Sequence, residues 1–514
     1  PVLVKASAGG GGKGMRAVDR PDDLPAALAA ARREARSAFG DATLLLEKLI
    51  VEPRHVEFQI FGDTHGHLLH LGERECSIQR RHQKVIEETP STALTPDLRA
   101  RMAAAALTVG RQLNYTSAGT VEFVLDPDGG FYFLEVNTRL QVEHPVTELV
   151  TGLDLVRWQI LVAEGYPLPL TQDEITFQGH AVEARIYAED PARGYLPATG
   201  HIALWREPEG DGVRVDSGIQ TGDTISAHYD PLLAKLSAHG ADRAEALRRL
   251  DRALSDTVLF GVRDNIPLLR RTLLHPAHLA GQISTRFLER HASDLLAAPT
   301  DAPREMGIAL AAVAAALQRV GVASDPPAWR NNPNRPITER YVPLDEDASA
   351  PPVEVRLTAR SAGEWSAEVR HGDQVHTRCV LVRERQDSDL WLEVDGHLVR
   401  AVVRVAGGEC WVKLGPHTYA LRWRSPFPDP AERARREGTL TAPMPGQVIA
   451  VFAEEGQVVQ TGDPLLVLQA MKMEHVIAAP YDGTVTHVHF RIGESVPASA
   501  ILLDLHPAPA PHDA

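Results

Sequence analysis

The sequence predicts a multidomain α+β protein, and three observations carry that prediction. The chain has 514 residues, which is more than one hydrophobic core normally organises. Its first half alternates β-like runs with Ala-rich helical stretches, and a later part consists of short alternating strands. The C-terminal part contains an internal repeat. We therefore expect four units, over residues 1–50, 51–293, 303–428 and 439–507.

The composition and net charge of the chain limit which kinds of partner and site we expect. Hydrophobic residues make up 44% and charged residues 24% of the chain, as in ordinary folded proteins. A formal net charge of -15 repels phosphate backbones, so we expect no nucleic acid and no anionic lipid surface as partner. The cysteines Cys76, Cys379 and Cys410 are widely separated, which predicts neither a disulfide framework nor a zinc site and fits a cytoplasmic protein. No apolar run approaches the roughly 18 residues that span a bilayer.

The first unit begins with a strand-like run at residues 1–6, followed by the consecutive glycines Gly9, Gly10, Gly11 and Gly12. Backbone N–H groups of such a loop can close over phosphates because no Cβ obstructs them. The loop departs from the P-loop pattern, since Lys13 is followed by Gly14 instead of Ser or Thr. A flexible linker would explain the glycines alone equally well. Because the chain opens within a strand, we expect further residues upstream.

The third unit is predicted to be a helix inside a β-barrel. Residues 306–321 form a helical run that is apolar on nearly every face, so other structure must surround it. The short alternating runs between residues 353 and 424, separated by turn residues, are typical of an antiparallel sheet or barrel. These strands are the candidate enclosure.

The repeat in the last unit predicts a small two-fold-symmetric barrel. APMPG at 442–446 matches APYDG at 479–483, an offset of 37 (483 minus 446), and PLLVL at 464–468 matches ILLDL at the same offset. Lys472, flanked by Met471 and Met473, then lies at the hairpin tip between the halves. This module resembles the biotin carboxyl carrier family, which implies biotin in amide linkage on Lys472, attached by a biotin protein ligase. A lipoyl domain has similar symmetry, but its lysine usually follows an acidic residue.

The first half of the chain resembles the ATP-grasp fold of biotin carboxylases. The resemblance rests on EKLIVEPRHVEFQ (47–59), ERECSIQRRHQKVIEE (73–88), GTVEF (119–123) and FLEVNTRLQVEHPVTE (133–148), and it extends from residue 1 to about 290. It implies ATP and bicarbonate as substrates. The positions that match the nucleotide site of the family are Lys5, Gly9, Gly10, Gly11, Gly12, Glu47, Lys48, His55, Gln79, His82, Lys84 and Val124. The family more often has leucine at the position of Val124.

Metal, bicarbonate and catalytic residues follow from the same resemblance. Glu122 and Glu135 on adjacent strands, completed by Asn137, are the expected ligands of Mg²⁺ or Mn²⁺, which prefer oxygen donors. Alternation along a strand NTRLQVEH would direct Asn137, Arg139, Gln141 and Glu143 into one cleft. The resemblance implies the following further roles: bicarbonate binding for Arg139, Gln141 and the Val142 backbone, catalysis for Arg139 and Lys84, proton abstraction for Glu143, and stabilisation by Arg185 of the anion formed on biotin.

The order of the units resembles the α subunit of a two-subunit acyl-CoA carboxylase. Because residues 303–428 are too few for a carboxyltransferase site, that reaction is expected on a partner β subunit in an α/β hetero-oligomer that acts on an acyl-CoA. AMKMEH at 470–475 favours the 3-methylcrotonyl-CoA type, with propionyl- and acetyl-CoA types as alternatives. A non-catalytic carrier or scaffold that lacks its upstream segment, and another ATP-grasp ligase such as half of a carbamoyl-phosphate synthase, are alternatives from other classes.

Overall fold

A computed structural model describes the protein at residues 1–8, 15–80, 83–297, 301–320, 335–346, 350–361, 363–425, 439–471, 473–498 and 500–507. The predictions for Gly9, Gly10, Gly11, Gly12, His82 and Lys472 lie outside these residues. At the N-terminus, an antiparallel sheet of order Arg16–Val18, Val2–Ala6 and Leu44–Lys48 packs on the helix Leu24–Phe39. The helix ends at Gly40, whose φ of 74° is the left-handed conformation that glycine adopts without strain.

An eight-stranded antiparallel sheet, here called the carboxylase sheet, forms the centre of the first half. Its strands are, in spatial order, Val213–Ser217, Leu232–Gly240, His180–Tyr187, Gln83–Thr89, Leu68–Arg80, Arg54–Gly62, Ser117–Leu125 and Phe131–Asn137. The longer helices around it are Pro96–Gln112, His144–Thr151, Leu155–Ala163, Arg243–Asp256 and Ile266–Leu274, and the shorter ones are Pro276–Leu279, Phe287–Arg290 and Ala292–Leu295. Asp154 and Asp242 cap two of the helices by accepting backbone N–H groups with their side chains.

Short strand pairs complete this half of the chain. They are Glu189–Asp190 with Leu196–Pro197, Gly200–His201 with Thr224–Ile225, and Leu204–Arg206 with Val258–Phe260. Single-turn 3₁₀ helices occur at Pro21–Asp23, Gln172–Glu174 and Pro191–Arg193. No helix in the described part of the chain is long and apolar enough to cross a membrane.

The predicted helix inside a barrel is confirmed. The helix Asp301–Val320 is enclosed by a closed eight-stranded barrel whose strands are Ile337–Pro343, Val353–Ser361, Glu364–His371, Gln374–Gln386, Asp389–Val394, His397–Ala406, Glu409–Leu414 and His417–Trp423. Pairing of Tyr341 with Trp423 closes it. Ala311, Ala314 and Ala315 are fully buried, because small side chains let the helix backbone approach the barrel wall.

The C-terminal module, here called the carrier, consists of two four-stranded sheets related by the predicted repeat. One sheet contains Thr439–Thr441, Ile501–Pro507, Gly483–Val488 and Val458–Val459, and the other contains Met473–Ala478, Pro464–Ala470, Gly446–Val451 and Ser495–Val496. The offset of 37 relates Gly446–Val451 to Gly483–Val488 (483 minus 446) and Val458–Val459 to Ser495–Val496 (495 minus 458). The two halves of the sequence repeat therefore form equivalent strands of the carrier.

The barrel packs directly against the first half of the chain. The rings of Phe260 and Trp411 stack with centroids 6.2 Å apart, within a shared apolar cluster. Beside them, Arg206 forms a two-pronged ion pair with Asp389, with distances of 3.2 Å and 2.7 Å. An apolar contact bordered by a bidentate ion pair fixes the orientation of the barrel.

Candidate functional site

Lys84 is at the centre of a buried cluster of charges on the carboxylase sheet. Its Nζ lies 2.5 Å from Glu57 Oε2 and 3.1 Å from Glu122 Oε1, and it also contacts Glu143 Oε1. The Lys84 side chain is only 11% exposed. Burial alone would lower the pKa of Lys84, but the surrounding anionic groups raise the pKa well above its usual value. The ammonium group is therefore charged at neutral pH.

Arg74 donates hydrogen bonds to buried side-chain oxygens of the cluster. Its guanidinium is fully buried and donates to Glu57 Oε1 at 2.6 Å, Gln59 Oε1 at 2.8 Å and Gln141 Oε1 at 3.0 Å. Burial raises the pKa of Glu57, whereas the cations Arg74 and Lys84 within 2.6 Å favour its ionised form. We assign Glu57 as ionised, because two buried cations need its charge.

Glu122 accepts hydrogen bonds from four side chains. They are His55 at 2.9 Å on one oxygen, and Lys84 at 3.1 Å, Asn137 at 2.9 Å and Gln141 at 2.9 Å on the other. Burial by itself would raise the pKa of Glu122, but the hydrogen bond and charge of His55 and the charge of Lys84 hold it well below its usual range. Glu122 is thus a permanent buried anion.

Glu143 lies between two cations. Its Oε1 contacts Lys84 and its Oε2 accepts from Arg185 Nη2 at 2.9 Å. Although burial opposes ionisation, Lys84 and Arg185 hold the pKa of Glu143 well below its usual range. Arg185 also pairs with the buried Glu87 on the neighbouring strand. The structure therefore brings together Lys84, Glu143 and Arg185, the three residues for which the resemblance to biotin carboxylases implies a catalytic role.

The segment that follows Asn137 differs from the sequence prediction. The strand ends at Asn137, and residues 141–143 form a turn that leads into the helix His144–Thr151. Gln141 and Glu143 still point into the cluster, but Arg139 does not: it is exposed and donates to the Leu140 carbonyl. The prediction that strand alternation directs all four polar side chains inward is therefore wrong. Helix formation with proline in its first turn ends the extended backbone.

The three predicted metal ligands lie together at the edge of the sheet. Glu122 and Glu135 are directly opposite each other on paired strands. Asn137 Nδ2 donates to Glu122 Oε1 at 2.9 Å and to Glu135 Oε1 at 3.4 Å. Two carboxylates and an amide oxygen are hard donors, so these residues fit Mg²⁺ or Mn²⁺.

The predicted nucleotide-binding residues fall into two groups. Around the central cluster, Gln79 is buried with its Nε2 3.2 Å from the Cys76 carbonyl, and half-buried Val124 pairs with His55 in the sheet. On the N-terminal sheet, Lys5 donates to Glu47 at 2.8 Å, and Glu47 and its neighbour Lys48 are exposed. The second group therefore presents charged side chains to solvent on a separate sheet.

Sequence reasoning missed several charged residues of the cluster. Glu57 lies two residues after His55 on the same strand, so the two-residue period places both on one face; this signal was available. Arg74, Glu87 and Lys235 gave no comparable signal, because their partners come from distant parts of the chain. For example, Lys235 Nζ contacts the Val142 carbonyl.

The carrier hairpin contacts the first half of the chain at Ala227. Strands Pro464–Ala470 and Met473–Ala478 pair as a hairpin, with Ala470 opposite Met473. Met471 is 4% exposed, and its backbone N–H donates to the Ala227 carbonyl at 2.9 Å. Ala227 precedes the strand Leu232–Gly240, which pairs with the strand that carries Arg185. The hairpin therefore contacts the loop that leads into one strand of the sheet that holds the charged cluster.

Family models match three parts of the chain. Residues 1–171 match the ATP-binding domain of the carbamoyl-phosphate synthase L chain, residues 183–290 match the biotin carboxylase C-terminal domain, and residues 438–505 match the biotin-requiring enzyme model. The second and third matches separate this chain from a carbamoyl-phosphate synthase half with an unrelated tail.

Solved structures resemble the first half. The biotin carboxylase domain of Hydrogenobacter thermophilus 2-oxoglutarate carboxylase, in complex with MgADP, ADP and bicarbonate, is 44% identical over 58% of this chain and 66% of that chain, with a TM-score of 0.57. Biotin carboxylase of Campylobacter jejuni is 42% identical over 57% of this chain and 65% of that chain, with a TM-score of 0.55. The chain thus spans just under two thirds of the length of these structures.

Curated relatives match almost the whole chain. The mitochondrial methylcrotonoyl-CoA carboxylase subunit alpha of Oryza sativa subsp. japonica is 39% identical over 98% of this chain and 73% of its own length. The mitochondrial propionyl-CoA carboxylase alpha chain of Mus musculus is 39% identical over 98% of this chain and 71% of its own length. The chain belongs to the family of biotin-containing α subunits of acyl-CoA carboxylases.

Proposed function

We propose that this protein carboxylates biotin carried on its own Lys472, with ATP and bicarbonate as co-substrates, and delivers the carboxyl group to a partner carboxyltransferase β subunit. The observation that carries the proposal is the buried cluster of Lys84, Glu143 and Arg185, on a sheet whose strand Leu232–Gly240 follows the loop that the carrier hairpin contacts at Ala227. A non-catalytic carrier would not need charges buried at such cost.

MgATP binds at the edge of the carboxylase sheet. Glu122, Glu135 and Asn137 supply oxygen donors for its metal ion, and the buried negative charge of Glu122 suits a divalent cation. Lys5, His55, Gln79, His82 and the glycines Gly9, Gly10, Gly11 and Gly12 belong to its phosphate and nucleotide contacts. Glu47, Lys48 and Val124 border the adenine.

Bicarbonate binds at the turn formed by Gln141, Val142 and Glu143, with Arg139 at its exposed side. Glu143 is ionised, so it can accept the proton of bicarbonate as a bicarbonate oxygen attacks the γ-phosphorus and ADP departs. The contact between Lys84 and Glu143 weakens as the proton arrives, and the Lys84 ammonium then stabilises negative charge on the transferred phosphoryl group.

The carboxyphosphate formed in this way would break down to CO2 and phosphate. Biotin would then supply a nitrogen that gives its proton to the phosphate and bonds the carbon of CO2, so that it carries the carboxyl group. Arg185 remains charged through the reaction, because neighbouring carboxylates raise the pKa of its guanidinium further above its usual value even though burial opposes this. It can therefore stabilise negative charge that develops near the hairpin tip. The contact between Met471 and Ala227 holds the hairpin on the loop that precedes the strand Leu232–Gly240, and that strand pairs with the strand of Arg185.

The acyl group is selected by the β subunit, and 3-methylcrotonyl-CoA is our first choice of acceptor. The support is the AMKMEH sequence and the 39% identity with a methylcrotonoyl-CoA carboxylase subunit, although a propionyl-CoA carboxylase chain reaches the same identity. The protein would work as an α/β hetero-oligomer after modification by a biotin protein ligase. The cytoplasm remains our proposed compartment, while the relatives named above are mitochondrial.

Steady-state kinetics of the complete subunit with free biotin test the proposal. We expect ATP cleavage that requires bicarbonate and Mg²⁺ and that increases with biotin. After copurification with its β partner, a panel of acyl-CoA substrates should give the highest kcat/KM with 3-methylcrotonyl-CoA. ATP cleavage that does not depend on bicarbonate would contradict the first part, and a preference for propionyl- or acetyl-CoA would contradict only the choice of acceptor.

A further inference from the structure

Lys235 connects the carboxylase sheet to the turn that we assign to bicarbonate. It lies on the strand Leu232–Gly240, directly opposite Arg185 on one neighbouring strand and opposite Asp216 on the other. Its side chain is 12% exposed, and its Nζ contacts the main-chain carbonyl oxygen of Val142. Asp216 Oδ2 is 3.7 Å away, which is beyond hydrogen-bonding distance. The carbonyl of Val142 is therefore the hydrogen-bond acceptor that the ammonium uses.

The surroundings of Lys235 contain several other charged groups. Glu183 and Arg185 come from the neighbouring strand, and Asp216 and Arg214 from the strand on the other side. Arg214 is itself held by Glu148 Oε2 at 2.6 Å and Asp216 Oδ2 at 3.0 Å. His144 and Glu148 belong to the helix that packs on this part of the sheet. The carboxylates balance the positive charge of Lys235, but the position of its Nζ is set by the turn.

Both peptide groups that flank Val142 are held in place. The Gln141 carbonyl accepts a hydrogen bond from His144 Nδ1 at 2.8 Å, and the Val142 carbonyl accepts from Lys235. Because a peptide group is planar, a fixed carbonyl also fixes the direction of the N–H group on its other side. The orientation of the Val142 amide and of the Glu143 backbone is thereby determined. A charge-assisted hydrogen bond is the stronger of these two constraints.

We propose that Lys235 is a positioning residue for bicarbonate: it holds the Gln141–Val142–Glu143 turn so that the Val142 amide and the Glu143 carboxylate face the same substrate. Lys235 binds the main-chain carbonyl of Val142 and does not itself contact the substrate. The proposal rests on the proposed function, since it assumes that this turn binds bicarbonate. Loss of the ammonium should therefore weaken bicarbonate binding selectively.

The test compares Lys235→Met, Lys235→Arg and Arg214→Met in the complete subunit, with KM measured separately for bicarbonate and for ATP. Lys235→Met should raise the KM for bicarbonate roughly tenfold or more, the size expected for a lost hydrogen bond to a charged group, and should leave the KM for ATP within about twofold. Lys235→Arg keeps a charged donor and should recover part of the loss. Arg214→Met removes a neighbouring cation without touching the turn, so it should keep the wild-type KM for bicarbonate.

Three results would overturn the assignment: a wild-type KM for bicarbonate in Lys235→Met, an equal rise of the KM for ATP, or an equal effect of Arg214→Met. If Lys235→Met does not fold, Lys235→Arg decides the question, because an arginine at this position must reach the carbonyl with a different donor geometry and should shift the KM for bicarbonate alone. Absence of any bicarbonate-dependent ATP cleavage in the unmodified subunit would instead contradict the proposed function.

Discussion

The charged cluster around Lys84, here called the carboxylase cleft, and the barrel are both buried, but they contain opposite kinds of side chain. In the cleft, Arg74 and Glu57 are fully buried ions, and Lys84 is held among carboxylates. In the barrel, the helix buries alanines and a few larger apolar residues, and its arginines lie at the ends: Arg304 pairs with Asp345, and Arg319 packs over Trp423. Burying a charge is costly, so buried charged residues are retained mainly where the chemistry of a site needs them. We therefore expect substitutions in the cleft to change the reaction and substitutions in the barrel to change only packing and stability.

The largest effect is expected from Glu143→Gln, which removes a charge from the cleft while keeping its shape. Without the base, bicarbonate-dependent ATP cleavage should fall by about 10²- to 10⁴-fold, as measured by steady-state kinetics. Glu148→Gln is the matched control: Glu148 lies on the adjoining helix and pairs with Arg214 outside the cleft, so most activity should remain. Comparable losses in both variants would refute the special role of Glu143.

Arg74→Met tests the cost of an unbalanced buried charge. Glu57 would lose its inner partner, so the free energy of unfolding should fall by about 3–5 kcal/mol, measured by urea denaturation. The double variant Arg74→Met, Glu57→Gln should recover part of this loss, because no uncompensated carboxylate remains. A single variant as stable as the wild type would show that the ion network is not structural.

Ala315→Leu tests the barrel in the complementary way. Ala315 is fully buried on the enclosed helix, and a larger side chain there should lower the free energy of unfolding by about 1–3 kcal/mol. Ala309→Leu is the control, because Ala309 on the same helix is only partly buried and should show a smaller change in the thermal melt. The KM for bicarbonate should be unchanged in both variants; a selective rise would contradict the separation of shape from chemistry.

The smallest expected effect concerns Glu183, which faces Glu87 across paired strands. Burial raises the pKa of Glu183 to about 8 from 4.5, against the opposing charge of Lys235. Between these values the folded state keeps a proton that the unfolded state has released, so this group lowers stability as pH rises. Glu183→Gln cannot lose that proton. The free energy of unfolding of the variant, minus that of the wild type, should therefore increase by about 1 kcal/mol as the pH rises from about 5.5 to 6.5. Denaturation at each pH measures this difference, and a difference that does not change with pH would contradict the raised pKa.

The sequence predicts the architecture more completely than the site. The repeat offset of 37 recurs in the strands of the carrier, and the all-round apolar helix is indeed enclosed, since periodicity is a local property. The site depends on contacts between distant segments: Lys84 and Glu143 are 59 residues apart. A polar alternating run such as NTRLQVEH fits a strand equally well; the helix that begins at His144 and the tertiary contacts of Gln141 and Glu143 make it a turn.

The most direct test of the account is the transfer of label from ¹⁴C-bicarbonate to the biotinylated complete subunit in the presence of MgATP, without any acyl-CoA. Acid-labile label should appear on the wild-type chain and should be absent from Lys472→Arg and from Glu143→Gln. Label that persists on Lys472→Arg would place the acceptor elsewhere on the chain. Label that persists on Glu143→Gln would contradict the assignment of the cleft as the site where bicarbonate is activated.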